Sequence, residues 1–338
     1  MDKIEKALLT HPFVTPWYLQ NMHMQTLFAA FFPYFKLKGI KPERKYIKLA
    51  DGSQIIADCL FHPDREKHAT VISVSGFEGY INKGKSNFAE AIFHKAYAYG
   101  YNVIHVGKRG EADSIHLTKS LFPAYPVDDM STALQTIYGW GLKKFYLVGV
   151  SGGGWVNLFT SCKLEEKIKK HILGIVSISA PIDFFSTWEH AKKRPLYGWL
   201  LLHLYKNLVK RRIKIDPQGT WDMKQLKAIK SLRAWGEAYV STFEKFSTID
   251  EYHKGTDLKP LIPHLQLPTL IIHAKDDPII PVEPYTAPAI QNNKNIITLF
   301  EAHGGHGGFF STKKLYGDLD GHWAQNRAME FIRLLENN

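Results

Sequence analysis

Short, continuously apolar runs alternate with longer segments of helical periodicity along this chain. Residues 69–75 (Ala-Thr-Val-Ile-Ser-Val-Ser) form a β-branched run that stops at Gly76, as a buried strand does. Before it, residues 45–50 and 54–60 flank Asp51-Gly52, a hairpin signal. Residues 86–99 place Phe88, Ile92 and Ala96 on one helical face and end at Gly100. A strand at 103–106, a helix at about 127–138, a strand at 145–149, a helix from about 153 and a strand at 172–179 continue the rhythm. Strands that alternate with helices imply crossover connections and a mostly parallel sheet. Between about Pro181 and Pro268 the rhythm breaks into long helical patterns holding Trp188, Trp199, Trp221 and Trp235. It resumes with strands at 269–273 and 296–300 and a last helix at about 322–335. The expectation is one α/β domain over residues 1–338. An aromatic, weakly periodic N-terminal arm, wrapping the domain or folded into short helices, covers 1–40, and a helical cap is inserted at 181–268.

The chain has 338 residues and 45% hydrophobic content, ample to bury a core, which excludes global disorder. Its two cysteines, Cys59 and Cys162, build neither a disulfide framework nor a zinc site on their own. The longest apolar stretches, 27–35 and 196–205, are interrupted by Pro33 and Gly198 and fall short of the ~20 residues a membrane span needs. The N-terminus lacks the apolar core of a secretory signal. These features lead us to expect a soluble, cytoplasmic protein, peripheral at membranes at most. The formal charge is +11, and its densest run is Lys206 to Lys214. That run carries no nucleic-acid-binding signature, so nucleic acid is not an expected partner. It reads as a solvated helix face, with an anionic membrane surface as the alternative.

The strand at 145–149 runs directly into Gly149-Val150-Ser151-Gly152-Gly153, a G-x-S-x-G string between strand and helix. A sharp turn there requires small neighbours and exposes the Ser151 hydroxyl above the sheet at a helix N-terminus. No Gly-Lys-Ser/Thr follows, which argues against a phosphate loop. A serine nucleophile needs a base, and the base needs an orienting acid. After the strand at 269–273 comes Ala274-Lys-Asp276-Asp277-Pro-Ile-Ile-Pro281. The short x-Ile-x-Pro segment favours Asp277 as the acid, with Asp276 as its rival. After the strand at 296–300 comes Glu301-Ala-His303-Gly-Gly-His306-Gly-Gly-Phe309, where either histidine qualifies by position as the base. An oxyanion hole needs two preorganised N–H groups. Gly152, just after the nucleophile, supplies one, and Phe77 in the Ser75-Gly76-Phe77-Glu78-Gly79 loop is the choice for the other.

Several strings together resemble the YheT-like branch of α/β-hydrolases, which includes EMB8-like proteins and ABHD-type lipases. They are Asn21-Met-His-Met-Gln-Thr26, the 75–79 loop, Arg109-Gly110, the 269–278 segment, the 303–309 loop, and Glu251-Tyr252-His253. The match runs from about Phe13 to the C-terminus. It implies the α/β-hydrolase fold, a mostly parallel sheet flanked by helices with an inserted cap. It also favours His306 over His303 and supports Asp277. The chain departs from the family pattern where Ser75 stands for His, Gly107 for Asn in Asn-x-Arg-Gly, Gly152 for Leu, Trp155 for Asn, and Phe122-Pro123 for Tyr-His.

The resulting expectation is a serine carboxylic-ester hydrolase, an esterase or lipase that acts through Ser151, His306 and Asp277. Its substrate is a small-molecule or lipid ester with an apolar, short- to medium-chain acyl group. No metal or cofactor is implied. The same triad could instead transfer the acyl group to an alcohol or thiol, or the fold could persist as a non-catalytic binding protein. The apolar stretch of Trp199, Leu200–Leu202, Leu204 and Tyr205 suits either an acyl chain or a core internal to the cap.

Overall fold

The computed structural model describes all residues except 29, 30, 33, 77–86, 112, 113, 122–125, 220, 241–245, 313 and 338. Among the described residues eight strands form one sheet: β1 (Glu43–Lys48), β2 (Gln54–Leu60), β3 (Thr70–Val74), β4 (Asn102–Val106), β5 (Phe145–Val150), β6 (Ile172–Ile178), β7 (Thr269–Ala274) and β8 (Ile296–Glu301). Their order across the sheet is β1-β2-β4-β3-β5-β6-β7-β8. β1 and β2 pair antiparallel through the Asp51-Gly52 turn, and β2 pairs antiparallel with β4. The pairings from β4 through β8 are parallel.

The parallel strands read as unbroken apolar runs because both faces are covered. Alternation along each strand still divides the side chains into two cores. Ile72, Val74, Leu147 and Ile175 join one cluster with Leu134, Ile137, Leu158 and Phe159. Those partners lie on α3 (Pro126–Gly139) and α4 (Gly152–Lys163). Val71, Tyr146, Val148 and Val176 face the other way, onto Ile4, Leu8, Phe93 and Phe331. These come from α1 (Asp2–Leu9), α2 (Asn87–Ala98) and α12 (Trp323–Glu336). The short helices α5 (Glu166–Lys169) and α11 (Pro288–Gln291) complete the crossovers.

Between β6 and β7 the described residues are helical: α6 (Phe184–Lys192), α7 (Pro195–Ile215), α8 (Met223–Ala228), α9 (Leu232–Val240) and α10 (Ile249–Thr256). Leu208, Val209, Leu226, Ile229 and Trp235 of this region form a small core together with Ile115 and Leu121 from the connection after β4. The apolar stretch of α7 is therefore shared. Leu202 and Tyr205 pack on that core, Leu200 and Leu201 pack toward the main one, and Trp199 is 61% exposed. Among the described residues no helix is long and apolar enough to cross a membrane. Cys59 and Cys162 are free thiols.

The N-terminal arm consists in part of short helices. α1 lies against α12, a 3-10 turn covers Trp17–Leu19, and a π-helical segment covers Met24–Phe28.

Candidate active site

Ser151 follows β5 directly and caps α4 with φ 53° and ψ −129°, a conformation a non-glycine residue rarely takes. Its N–H donates to the Ile178 carbonyl at 2.8 Å, which ties the turn to the neighbouring strand. The glycines around it have different jobs. A Cβ on Gly149 would lie 2.5 Å from the Gly153 backbone, and one on Gly153 would lie 2.2 Å from the Val74 carbonyl oxygen. A Cβ on Gly152 would meet open space. The turn therefore demands glycine at 149 and 153, whereas Gly152 is free to vary and keeps only its N–H at the start of α4.

His306 and Asp277 arrive from the loops after β8 and β7. The His306 Nε2 lies 2.9 Å from Ser151 Oγ, and its Nδ1 lies 2.9 Å from Asp277 Oδ2. The Asp277 side chain is fully buried, and its other oxygen accepts the N–H groups of Ile279 (2.8 Å) and Ile280 (2.9 Å). Burial pushes this carboxyl up, but the His306 imidazole, then His273 and the Ile280 N–H, outweigh it and hold the group below its ordinary value. The carboxyl therefore stays ionised beside the histidine.

The rivals of these residues sit one step away. Asp276 turns to the backbone and accepts the Gly305 N–H at 2.9 Å. Burial holds its carboxyl above the ordinary value. His303 is 44% exposed, with Nδ1 3.7 Å from Asp276 Oδ2. Of the oxyanion candidates, Gly152 stands at the helix start and lines the cavity, whereas Phe77 lies outside the described residues. The residue just before it, Gly76, is close enough that a Cβ there would touch Ser151 Cβ at 2.9 Å.

The loop that carries His306 has few free degrees of freedom. Gly304, Gly305 and Gly307 take positive φ. The His306 N–H donates to Thr26 Oγ1 at 2.9 Å, and the Gly307 N–H donates to Ser179 Oγ at 3.1 Å. Phe310 N–H donates to Gln25 Oε1 at 2.8 Å, and Gln25 Nε2 donates back to the carbonyls of Phe310 (3.0 Å) and Leu19 (2.9 Å). The N-terminal arm thus clamps the histidine loop through Gln25 and Thr26, and Ser179, just after β6, holds it from the sheet; residue-by-residue reading missed these roles. Gln25 and Thr26 left a trace only in the Asn21–Thr26 string, and Ser179 left none. Gln25 is fully buried, and replacing it with Leu strands at least two backbone groups. We expect Gln25→Leu to cost about 2–4 kcal/mol of stability and to lower turnover with it, read by denaturant unfolding beside an activity assay.

A cavity of about 250 Å³ opens from Ser151 between the sheet and the inserted helices. Val74, Trp155 and Ile279 line it from the sheet, α4 and the loop after β7, and Trp188, Leu201 and Tyr252 line it from the helices between β6 and β7. Trp155 is fixed by its indole N–H on the Thr256 carbonyl (3.2 Å) and by edge contact with Phe184. Among the described residues no cluster of His, Cys, Asp or Glu suited to hold a metal ion is present.

No protein-family model matches the chain. Human phospholipase ABHD3 is 25% identical over 80% of this chain and 68% of its own length. YheT of Escherichia coli is 25% identical over 92% of this chain and 90% of its own. The solved structure of the Pyrococcus furiosus esterase Pf2001 superposes with a TM-score of 0.54 over 89% of this chain and 98% of that one, at 14% identity. The sheet order, the strand-turn-helix at Ser151 and these relatives define the class: an α/β-hydrolase that acts on ester bonds. Within that class the chain is similar to ABHD-type proteins, among them ABHD3, YheT and the spruce protein EMB8.

Proposed function

We propose that the protein is a serine carboxylic-ester hydrolase whose triad is Ser151, His306 and Asp277. The observation that carries this reading is the unbroken 2.9 Å contact from Ser151 Oγ to His306 and from His306 to Asp277. In this reading His306 Nε2 takes the Ser151 proton as Oγ attacks the ester carbonyl. Asp277 holds Nδ1–H, fixes the tautomer and stabilises the imidazolium. The N–H groups of Gly152 and Phe77 receive the oxyanion. His306 then protonates the leaving alcohol, and water, activated by the same imidazole, releases the acid.

The cavity supports a finer statement about substrate. Its wall is mainly apolar and aromatic, and Ser151 stands at its base. At ~30 Å³ for a group the size of water or methylene, its volume suits a single short- to medium-chain acyl group. Helices α6–α10 act in this reading as the cap that closes over the chain. A series of p-nitrophenyl esters from acetate to palmitate tests it. We expect kcat/KM to peak between butyrate and decanoate; a flat profile, or a maximum at acetate, contradicts an acyl pocket beneath the cap.

The cap also carries Phe185, Leu196 and Trp199 exposed, and α7 runs on from Leu196 and Trp199 into the basic stretch Lys206–Lys214. Apolar anchors next to Lys and Arg suit peripheral contact with an anionic bilayer. Salt-sensitive sedimentation with phosphatidylglycerol vesicles is the expected outcome, and absence of binding at low salt removes that part of the reading.

A further inference from the structure

Lys108 is a charged side chain in the wall of an otherwise mainly apolar cavity, on the loop that follows β4. It does not reach for solvent: its side chain is 31% exposed. Its Nζ donates to the carbonyl of Ser75 at 2.9 Å, to the carbonyl of Gly76 at 2.5 Å, and to the carboxylate of Glu111. Glu111, itself buried, accepts the Lys108 backbone N–H with its other oxygen at 2.9 Å, so one carboxylate ties down both ends of the lysine. The two carbonyls belong to the segment that leaves β3 and passes against Ser151, where a Cβ on Gly76 would lie 3.4 Å from Oγ.

We propose that Lys108, anchored by Glu111, is a positioning residue that sets the oxyanion-binding segment beside Ser151. In a trans peptide the N–H points opposite to the carbonyl, so a group that holds a carbonyl also aims the N–H of the same peptide. The Ser75 carbonyl turned onto the ammonium turns the Gly76 N–H to the opposite side, and the Gly76 carbonyl is held by the same ammonium. A charged donor makes stronger bonds than a neutral one and polarises the peptides it holds, which strengthens their N–H groups as donors. Glu111 offsets the cation, so Lys108 acts through the backbone and is not a free anchor for an anionic substrate. The inference rests on the Ser151 reading.

The test compares wild type, Lys108→Met and Lys108→Arg on neutral p-nitrophenyl butyrate and on anionic p-nitrophenyl succinate, with Ser151→Ala as the blank. We expect Lys108→Met to lose about 10–100-fold in kcat on both esters with little change in KM, somewhat less than removal of an oxyanion donor itself. Affinity for a trifluoromethyl ketone, a mimic of the tetrahedral adduct, should weaken by the same factor as kcat/KM. Lys108→Arg should recover part of the loss. A Lys108→Met enzyme with wild-type kcat, or one whose loss is confined to KM for the anionic ester, overturns the inference while leaving the Ser151 reading intact. Wild type no more active than Ser151→Ala overturns both. If Lys108→Met does not fold by thermal melting, Glu111→Gln is read by the same kcat and KM criteria.

Discussion

Ser151→Ala is expected to lower ester turnover by about 10⁴–10⁶-fold, because the oxyanion site and binding groups that remain supply only a small part of the rate. The change removes one oxygen whose bond in the structure is to His306 Nε2. It removes no helix cap, since the Ser151 side chain makes no capping bond to α4. The φ of 53° is held by the packing of Gly149 and Gly153 against the neighbouring backbone, which alanine at 151 leaves untouched. The melting temperature should therefore stay within about 1 °C of wild type, a shift under about 1 kcal/mol for a domain of this size. A variant that retains more than a tenth of the turnover contradicts the assignment of Ser151, whatever its stability.

Asp277→Asn carries the second largest expected effect, a fall in kcat of about 10⁴. An amide at 277 can accept the two N–H groups of Ile279 and Ile280 on its oxygen. It then presents NH₂ to His306 Nδ1, which reverses the tautomer and takes the acceptor nitrogen away from Ser151. The same substitution has a stability signature with a definite sign. The folded carboxyl is held below its ordinary value, so its contribution is complete above the unfolded value of ~3.9 and is lost as pH falls through the folded one. The gap in stability between wild type and Asp277→Asn should be widest near pH 6 and should narrow toward pH 3. A gap that widens on acidification contradicts an ionised Asp277.

The sheet was largely legible because parallel strands buried on both faces leave continuous apolar runs, as at Val71–Val74 and Leu147–Val150. The turn at Ser151 was legible because Gly149 and Gly153 are forced by backbone contacts under 3 Å. Adjacent residues were harder. Asp276 and Asp277 share composition and context, and only the fold shows one facing the Gly305 N–H and the other His306 Nδ1. The N-terminal arm left little periodic trace because its 3-10 and π turns are held by long-range bonds, Gln25 to Phe310 and Thr26 to His306, rather than by an amphipathic face. The contact of Lys108 with the Ser75 and Gly76 carbonyls was likewise invisible, since backbone acceptors have no signature in side-chain identity. The helical content between β6 and β7 was legible, but its apolar residues divide between a core and a cavity wall, and sequence alone gives both the same pattern.

Intact-mass analysis after exposure to a fluorophosphonate, with wild type beside Ser151→Ala, tests the central claim most directly. One adduct per chain on the wild type and none on the variant is the result expected of a serine activated by His306 and Asp277. A folded wild type that takes up no label, or a Ser151→Ala protein labelled as readily as wild type, contradicts it.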